Sequence, residues 1–336
     1  MYQKLSEKSK AFNQCVINTM EELEKMRIYL DGLSCMRFRG VNESKYTMLT
    51  SLQRKCPASM KDHQIVYMTE LLNRVKSNAE VITYFRNNNI AINDITCLAL
   101  MQHHCLPTPL LDFSTNINIA LSFAALDINM NSGYDEIDKY VSLYYFDKVF
   151  EHEVGISIQH IINTGMTSGI QKLQDYRLHH PNESVNASIL YDINEFISWN
   201  DIKELELAYI EYQPLAPNVE TLSGQSLNIA NPNHERQKGC FIFNLCNESM
   251  PLEENWNKRT IDSRNRFCMN KGASFSQFPF SGIMTKEKIS CLDIKKDVIK
   301  RWSEKKTILL YDNSQANLAI KQKLQEILEE MDGAYN

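Results

Sequence analysis

Two arginines stand where the sequence could bind an anion. Arg37 and Arg39 flank Phe38, and Arg39 comes directly before Gly40. Side chains alternate along a strand, so both arginines share one face if this segment is extended. A guanidinium group binds phosphate or carboxylate through two parallel hydrogen bonds, and a glycine lets a ligand approach the backbone. The segment therefore favours an anion site, although either arginine alone is compatible with an ordinary surface charge.

A second segment, residues 102–116, is dense in polar groups between apolar flanks. Each polar residue also has a structural interpretation, since a histidine often ends a helix or packs in a core and an aspartate often caps a turn. Spacing alone predicts a mixed α/β protein with a polar cleft. The candidates for that cleft are Gln102, His103, Asp112, Ser114 and Thr115.

Motifs for other chemistries are missing or incomplete. The histidines form no HExxH or HxxxH pair and the cysteines form no CxxC, so we expect no metal ion. Residues 127–138 look like a calcium loop, but the glycine is one place late and Asp138 stands at the twelfth position instead of Glu. The glycines are too widely spaced for a dinucleotide-binding or Walker loop. A bound nucleotide would need a different phosphate site.

Periodicity along the chain predicts the elements that must position these residues. Apolar residues at helical spacing predict helices after Pro57, with a break near Ser77, and after a cap at Asn93 or Asp94. Residues 110–116 and the small-residue face that follows predict a strand, a turn and a helix. Further strands are predicted at 35–40, 140–146, 208–212, 240–243 and 308–311.

Size and charge exclude several classes of protein. A chain of 336 residues with 43% apolar residues can bury a core in one large domain or two. Its net charge of −5 is unlike that of a protein built to coat nucleic acid. The charged N-terminal residues lack the pattern of a secretion signal, and the apolar runs are short for a bilayer. The odd number of nine cysteines suggests reduced thiols, so we expect a cytoplasmic protein without a membrane partner.

Three blocks of the sequence together resemble the FRG domain family. The first is Phe38-Arg39-Gly40, the opening that names the family. The second runs from Leu98 to Ala124 and resembles the family signature, with Cys105 at a usual glycine and Pro109 at a usual arginine. The third and weakest block is residues 232–241, with an asparagine at a usual arginine.

The order of these blocks is similar to that of ADP-ribosyltransferases of the arginine, serine, glutamate type. The resemblance implies an α+β fold, with a mixed or antiparallel split β-sheet core and flanking helices, like that of the transferases. It implies a helical lead-in at 1–32, an FRG domain at 33–250 with an insertion at about 152–202, and an extension at 251–336 that packs on the core.

The same resemblance implies roles for the candidate residues. Arg39 would hold the diphosphate of NAD, Ser114 would position the ribose or a nearby loop, and Glu235 would stabilise the oxocarbenium-like transition state. The family pattern usually carries the acid second in an x-E pair, whereas Gln237 follows Glu235 here and supplies no charge. The acid is therefore Glu235, another carboxylate such as Glu211, or absent from a weakly active or inert site. The other expected NAD contacts are Phe38, Gly40, Gln102, His103, Asp112 and Thr115.

The function implied is a cytoplasmic NAD-dependent ADP-ribosyltransferase that acts as a toxin or anti-phage effector on a macromolecule. NAD would be its substrate, with RNA or protein as the acceptor and no metal. An antitoxin or regulatory protein would be a further partner. The competing hypothesis is a non-catalytic module that recognises a nucleotide, a nucleic acid or a protein. A hydrolase acting on NAD or nucleic acid is the third.

Overall fold

Seven strands of the described chain form one mixed sheet. The computed structural model describes residues 1–33, 36–88, 92–130, 133–147, 207–211, 236–245, 250–258, 288–306, 310–311 and 314–335, together with 178–179, 199, 203 and 308. The sheet order is β1-β7-β4-β2-β3-β6-β5; β1 and β7 are parallel and every other pair is antiparallel. The strands are β1 Asn13–Ile17, β2 Met36–Val41, β3 Leu110–Ser114, β4 Tyr140–Asp147, β5 Leu207–Glu211, β6 Gly239–Asn244 and β7 Ser290–Lys295.

The junction between β2 and β3 is the weakest point of this sheet. Along β2, six consecutive residues pair with β4, whereas Phe38 and Ser114 are the one pair that joins β2 to β3. The two strands part beyond that pair, and their main-chain groups there need other partners. The sheet is thus nearly split between its fourth and fifth strands.

Helices pack mainly on one face of the sheet, as two separate clusters. α2, α7 and α8 cover the half built from β1, β7, β4 and β2, while α4, α5, α6 and α9 cover the half that contains β3 and β6. Phe38 and Ser114 are directly opposite each other and so share a face, which places both clusters on the same side. The helices are α1 Leu5–Ala11, α2 Met20–Asp31, α3 Ser51–Lys55, α4 Gln64–Ser77, α5 Ala79–Asn87, α6 Asp94–His103, α7 Ile117–Ala125, α8 Lys296–Ser303 and α9 Gln315–Asp332, with 3₁₀ turns at Ala58–His63 and Glu136–Lys139.

A buried ion pair ties the N-terminal helix to the sheet. Lys8 Nζ on α1 lies 2.5 Å from Asp293 Oδ1 on β7, and both side chains are fully buried. Asp293 also accepts hydrogen bonds from Ser44, Ser142 and Gln14. Burial opposes ionisation of Asp293, yet Lys8 and these hydrogen bonds hold its pKa below the usual value.

The mixed sheet with flanking helices confirms the coarse fold expected from the sequence. The break after Ser77, the Asn93 cap and the order of strand, turn and helix at 110–125 are also confirmed. The lead-in predicted as helical contains β1 as well, because residues 13–17 pair with β7. The predicted insertion at 152–202 lies almost entirely outside the described residues.

The predicted strand at 308–311 is wrong for the residues described there. Ile308, Leu310 and Tyr311 belong to no strand. The carbonyl of Leu310 accepts a hydrogen bond from the side chain of Gln237 at 3.0 Å, instead of from a neighbouring strand. The strand in the C-terminal part of the chain is β7, Ser290–Lys295, which was not predicted from the sequence.

Candidate functional site

A cleft of about 270 Å³ opens where β2 and β3 part. Its walls come from these two strands and from α3, α6 and α7, so it lies between the two helical clusters. Ligand pockets usually measure about 300–1,000 Å³, which makes this a small one. The lining residues are Phe38, Arg39, Gly40, Ser51, Arg54, Lys55, Gln102, His103, Cys105, Asp112, Phe113, Ser114, Ala120, Phe123, Gln237 and Tyr311.

Most residues selected from the sequence therefore meet in this one cleft. Among them, Thr115 does not line it: the side chain is exposed, and its N–H donates to the carbonyl of Lys238 at 3.0 Å beside the cleft. Glu235 lies outside the described residues, as does the side chain of Glu211. The choice of a catalytic carboxylate stays a prediction.

Arg39 spans the gap between the two strands. Its Nη1 donates to the main-chain carbonyl of Asp112 at 2.7 Å, which satisfies an oxygen close to where β2 and β3 separate. The nearest ion-pair distance, from Nη1 to Asp112 Oδ2, is 3.9 Å. Burial lowers the pKa of Arg39, and the side chain is 18% exposed. Its positive charge is only partly neutralised, which favours an anion in the cleft.

A chain of hydrogen bonds fixes the carboxylate of Asp112. Gln102 Nε2 donates to Asp112 Oδ2 at 2.5 Å. The Oε1 atom of the same side-chain amide accepts from the hydroxyls of Thr108 and Ser51. The Ser51 hydroxyl in turn accepts from the backbone N–H of Thr108 at 2.9 Å. Both ends of the Gln102 amide are occupied, so Gln102 acts on the cleft by orienting Asp112.

Gly40 allows close packing of a helix against the sheet. A Cβ at Gly40 would lie 1.8 Å from the carbonyl oxygen of Ala120 and 2.6 Å from the nitrogen of Ala124, both in the α7 backbone. No side chain fits at that distance. The missing side chain at Gly40 therefore lets α7 lie directly on β2, while the expected contact of Gly40 with a phosphate stays a prediction.

Ser114 and Gln237 hold the far wall of the cleft together. The buried Ser114 hydroxyl donates to the carbonyl of Gln237 at 2.7 Å and accepts from the N–H of Asn116 at 3.0 Å. The Gln237 side chain is also buried and donates to Leu310. These contacts connect the end of β3 to the segments around Gln237 and Leu310, and the roles expected for Ser114 and Gln237 stay predictions.

Two histidines lie at the end of α6. His103 lines the cleft and packs its ring against Phe241, with centroids 5.6 Å apart. His104 is buried and its Nε2 has no hydrogen-bond partner. Burial, together with the charge of Lys321, lowers the pKa of His104 to about 4.

Sequence reasoning missed two cations and an aromatic residue of the cleft. Arg54 and Lys55 form the last turn of α3 and line the wall near Arg39; burial and the charge of Arg39 lower the pKa of Arg54. A capping box at Thr50, with its partner three residues later, was the available signal for this short helix. Tyr311 had no comparable local signal. Asp112 is the one carboxylate in the described cleft lining, against three cations.

The first two blocks of the sequence thus converge on the junction of β2 and β3. The FRG domain family model matches residues 34–132. The FRG segment supplies β2, β3, α3, α6 and α7, and hence most of the cleft wall. Gln237 and Tyr311 come from outside it. Neither the curated proteins nor the solved structures contain a match to the chain.

The described residues contain neither a metal-binding cluster nor a membrane-spanning helix. No group of three or more histidine, cysteine, aspartate or glutamate side chains among them is arranged to hold a metal ion. Within the same residues, every helix is too short or too polar to cross a membrane.

Proposed function

We propose that this chain is an NAD-dependent ADP-ribosyltransferase whose cleft binds the NAD diphosphate at Arg39. The observation that carries the proposal is the convergence of Arg39, Ser114 and Gln237 on one cleft at the split of the sheet. The resemblance assigns these three positions to phosphate binding, to the serine strand end and to the block of the catalytic acid. Three cations around one carboxylate further suit a diphosphate.

The reaction breaks the bond between C1′ of the ribose and the nicotinamide nitrogen, and the electron pair leaves with nicotinamide. The acceptor then forms a bond to C1′ and loses its proton. Arg39 holds the diphosphate so that the ribose is fixed during this exchange. A carboxylate near C1′ stabilises the developing positive charge. Glu235 is the proposed carboxylate. The acceptor is RNA or protein, which the chain modifies as a toxin or anti-phage effector.

The test of NAD binding uses calorimetry on the purified chain. Arg39→Lys keeps the charge but loses the guanidinium fork, so NAD affinity should fall about tenfold or more. Arg301→Ala is the matched control, because Arg301 is an exposed arginine on α8 that pairs with Asp297 outside the cleft. Equal NAD affinity in the wild type and Arg39→Lys would overturn the diphosphate site.

The test of transfer uses labelled NAD and a lysate divided into protein and RNA fractions. Label should appear in one fraction, and Glu235→Gln should slow its appearance by about 10²-fold with little loss of NAD affinity. Unchanged transfer in Glu235→Gln would remove Glu235 as the acid.

A specific observation favours the second candidate, a non-catalytic recognition module. The described hydrogen bonds of Ser114 and Gln237 hold the cleft wall together. A cleft built in this way can bind a nucleotide without reacting. Wild-type protein that binds NAD but labels neither fraction would favour the module over the transferase.

A further inference from the structure

An aromatic pair forms the side of the cleft contributed by α7 and the C-terminal part of the chain. Phe123 on α7 and Tyr311 meet edge to face, with ring centroids 6.1 Å apart, and both line the cleft. Tyr311 is 38% exposed, so its ring is available to a ligand. Burial of the rest of the residue, with Cys105 and Asp112 nearby, raises the pKa of its phenol to about 12.

The position of Tyr311 is fixed from the FRG side of the molecule. Gln237 Nε2 donates to the carbonyl of Leu310 at 3.0 Å, one residue before Tyr311. The carbonyl of Gln237 accepts from Ser114, the last residue of β3. A continuous path of two hydrogen bonds therefore connects the strand end to the segment that carries Tyr311.

We propose that Phe123 and Tyr311 form an aromatic wall that stacks on the planar ring of a nucleotide whose phosphates lie at Arg39 and Arg54. The inference rests on the proposed anion site and adds the residues that contact a ring of the ligand, which that site alone leaves unassigned. Stacking suits this wall because every base presents a flat face to an aromatic side chain. The cations and the aromatic pair line the same small cleft, which is what binding of one ligand to both requires.

The same arrangement gives Gln237 a positioning role. Its side chain donates to the carbonyl of Leu310, the residue directly before Tyr311, which lines the cleft. The C-terminal part of the chain thereby completes a site that the FRG segment begins.

Two probes separate the wall from the anion site: inorganic pyrophosphate, which has no ring, and ADP, which has one. Calorimetry with the full chain should show that ADP binds more tightly than pyrophosphate. Tyr311→Leu should weaken ADP about tenfold, the loss of one stacking partner, and leave pyrophosphate within about twofold. Tyr311→Phe retains the ring and should bind ADP like the wild type. Tyr134→Leu removes a fully exposed tyrosine outside the cleft and should change neither affinity.

The outcomes distinguish this inference from the proposed function. ADP that binds no more tightly than pyrophosphate, or a Tyr311→Leu variant with unchanged ADP affinity, would overturn the aromatic wall while leaving the anion site intact. Loss of ADP affinity in Tyr311→Phe equal to that in Tyr311→Leu would also overturn it, because the hydroxyl and not the ring would then bind. Absence of transfer from NAD, with the ADP pattern as expected, would instead reject the transferase alone.

Discussion

The carbonyl oxygen of Ala120 fills the space that a side chain at Gly40 would need. A Cβ at residue 40 would stand 1.8 Å from that oxygen, in the backbone of the helix that forms one wall of the cleft. Neither group can move away by rotation of a flexible side chain. The seating of α7 on β2, and with it the width of the cleft, depends on this one glycine.

Gly40→Ala should therefore lower the free energy of unfolding by about 3 kcal/mol or prevent folding, because the added methyl group overpacks rigid backbone. Urea unfolding measures the change. Gly32→Ala is the matched control: Gly32 has a φ of −74°, and its nearest obstacle is 3.4 Å away. The control should remain within about 0.5 kcal/mol of the wild type. Equal stability of the two variants would contradict the close seating of α7.

Cys105 is held in a backbone conformation that favours glycine. Its φ of 63° lies in the left-handed region, at the position where the family usually has glycine. Cys105→Gly should relieve this strain and raise the free energy of unfolding by about 1 kcal/mol. Cys105→Ala retains a Cβ and should give no such gain. A comparison of both variants in the same urea titration separates backbone strain from loss of the thiol.

Replacing the Asp293 carboxylate by an amide should strongly destabilise the protein, because Asp293 is the buried counter-charge of Lys8. Asp293→Asn leaves the Lys8 ammonium buried without a counter-charge and should cost about 3–5 kcal/mol of stability. Asp297→Asn breaks an exposed pair with Arg301 and should cost about 1 kcal/mol or less. Thermal unfolding of the two variants should differ clearly. Similar losses would mean that Lys8 is not buried as described.

His104 predicts a pH dependence of stability. Burial holds its pKa at about 4, whereas in the unfolded chain it should titrate near 6.5. The unfolded state therefore takes up a proton first as the pH falls, and the contribution of this residue is lost between about pH 6.5 and pH 4, up to about 3 kcal/mol. His104→Gln has no group to protonate and should show a shallower loss over that interval. Parallel slopes in the wild type and the variant would reject the prediction.

Local patterns were sufficient to predict the elements that build most of the cleft. Arg39, Gln102, Asp112 and Ser114 stand on short segments whose alternation, caps and turns are visible in the sequence. The strand β7 was missed because Asp293 occupies one of its buried positions, where a pattern search expects an apolar residue. Its burial depends on Lys8 from the other end of the chain, which no local pattern reveals.

The remaining cleft residues were not predictable for a related reason. Arg54 resembles any basic residue in the last turn of a short helix until Arg39 is placed beside it. Tyr311 is held at the cleft by contacts between distant segments, the hydrogen bond from Gln237 to Leu310 and the ring contact with Phe123. The packing role of Gly40 was not predictable either, since its neighbour Ala120 is brought there by folding.

The pairing of β1 with β7 sets the order in which the chain can fold. Asn13 pairs with Ser290 and Ile17 with Ile294, so β1 must wait until synthesis has reached β7, 277 residues further along the chain. At roughly 5–20 residues per second, that delay is on the order of tens of seconds. Until then Lys8 lacks its counter-charge, and the edge of β4 that β7 will cover stays open to pairing with other chains. The high contact order of this half predicts slow, late closure during synthesis, with a period of vulnerability to aggregation.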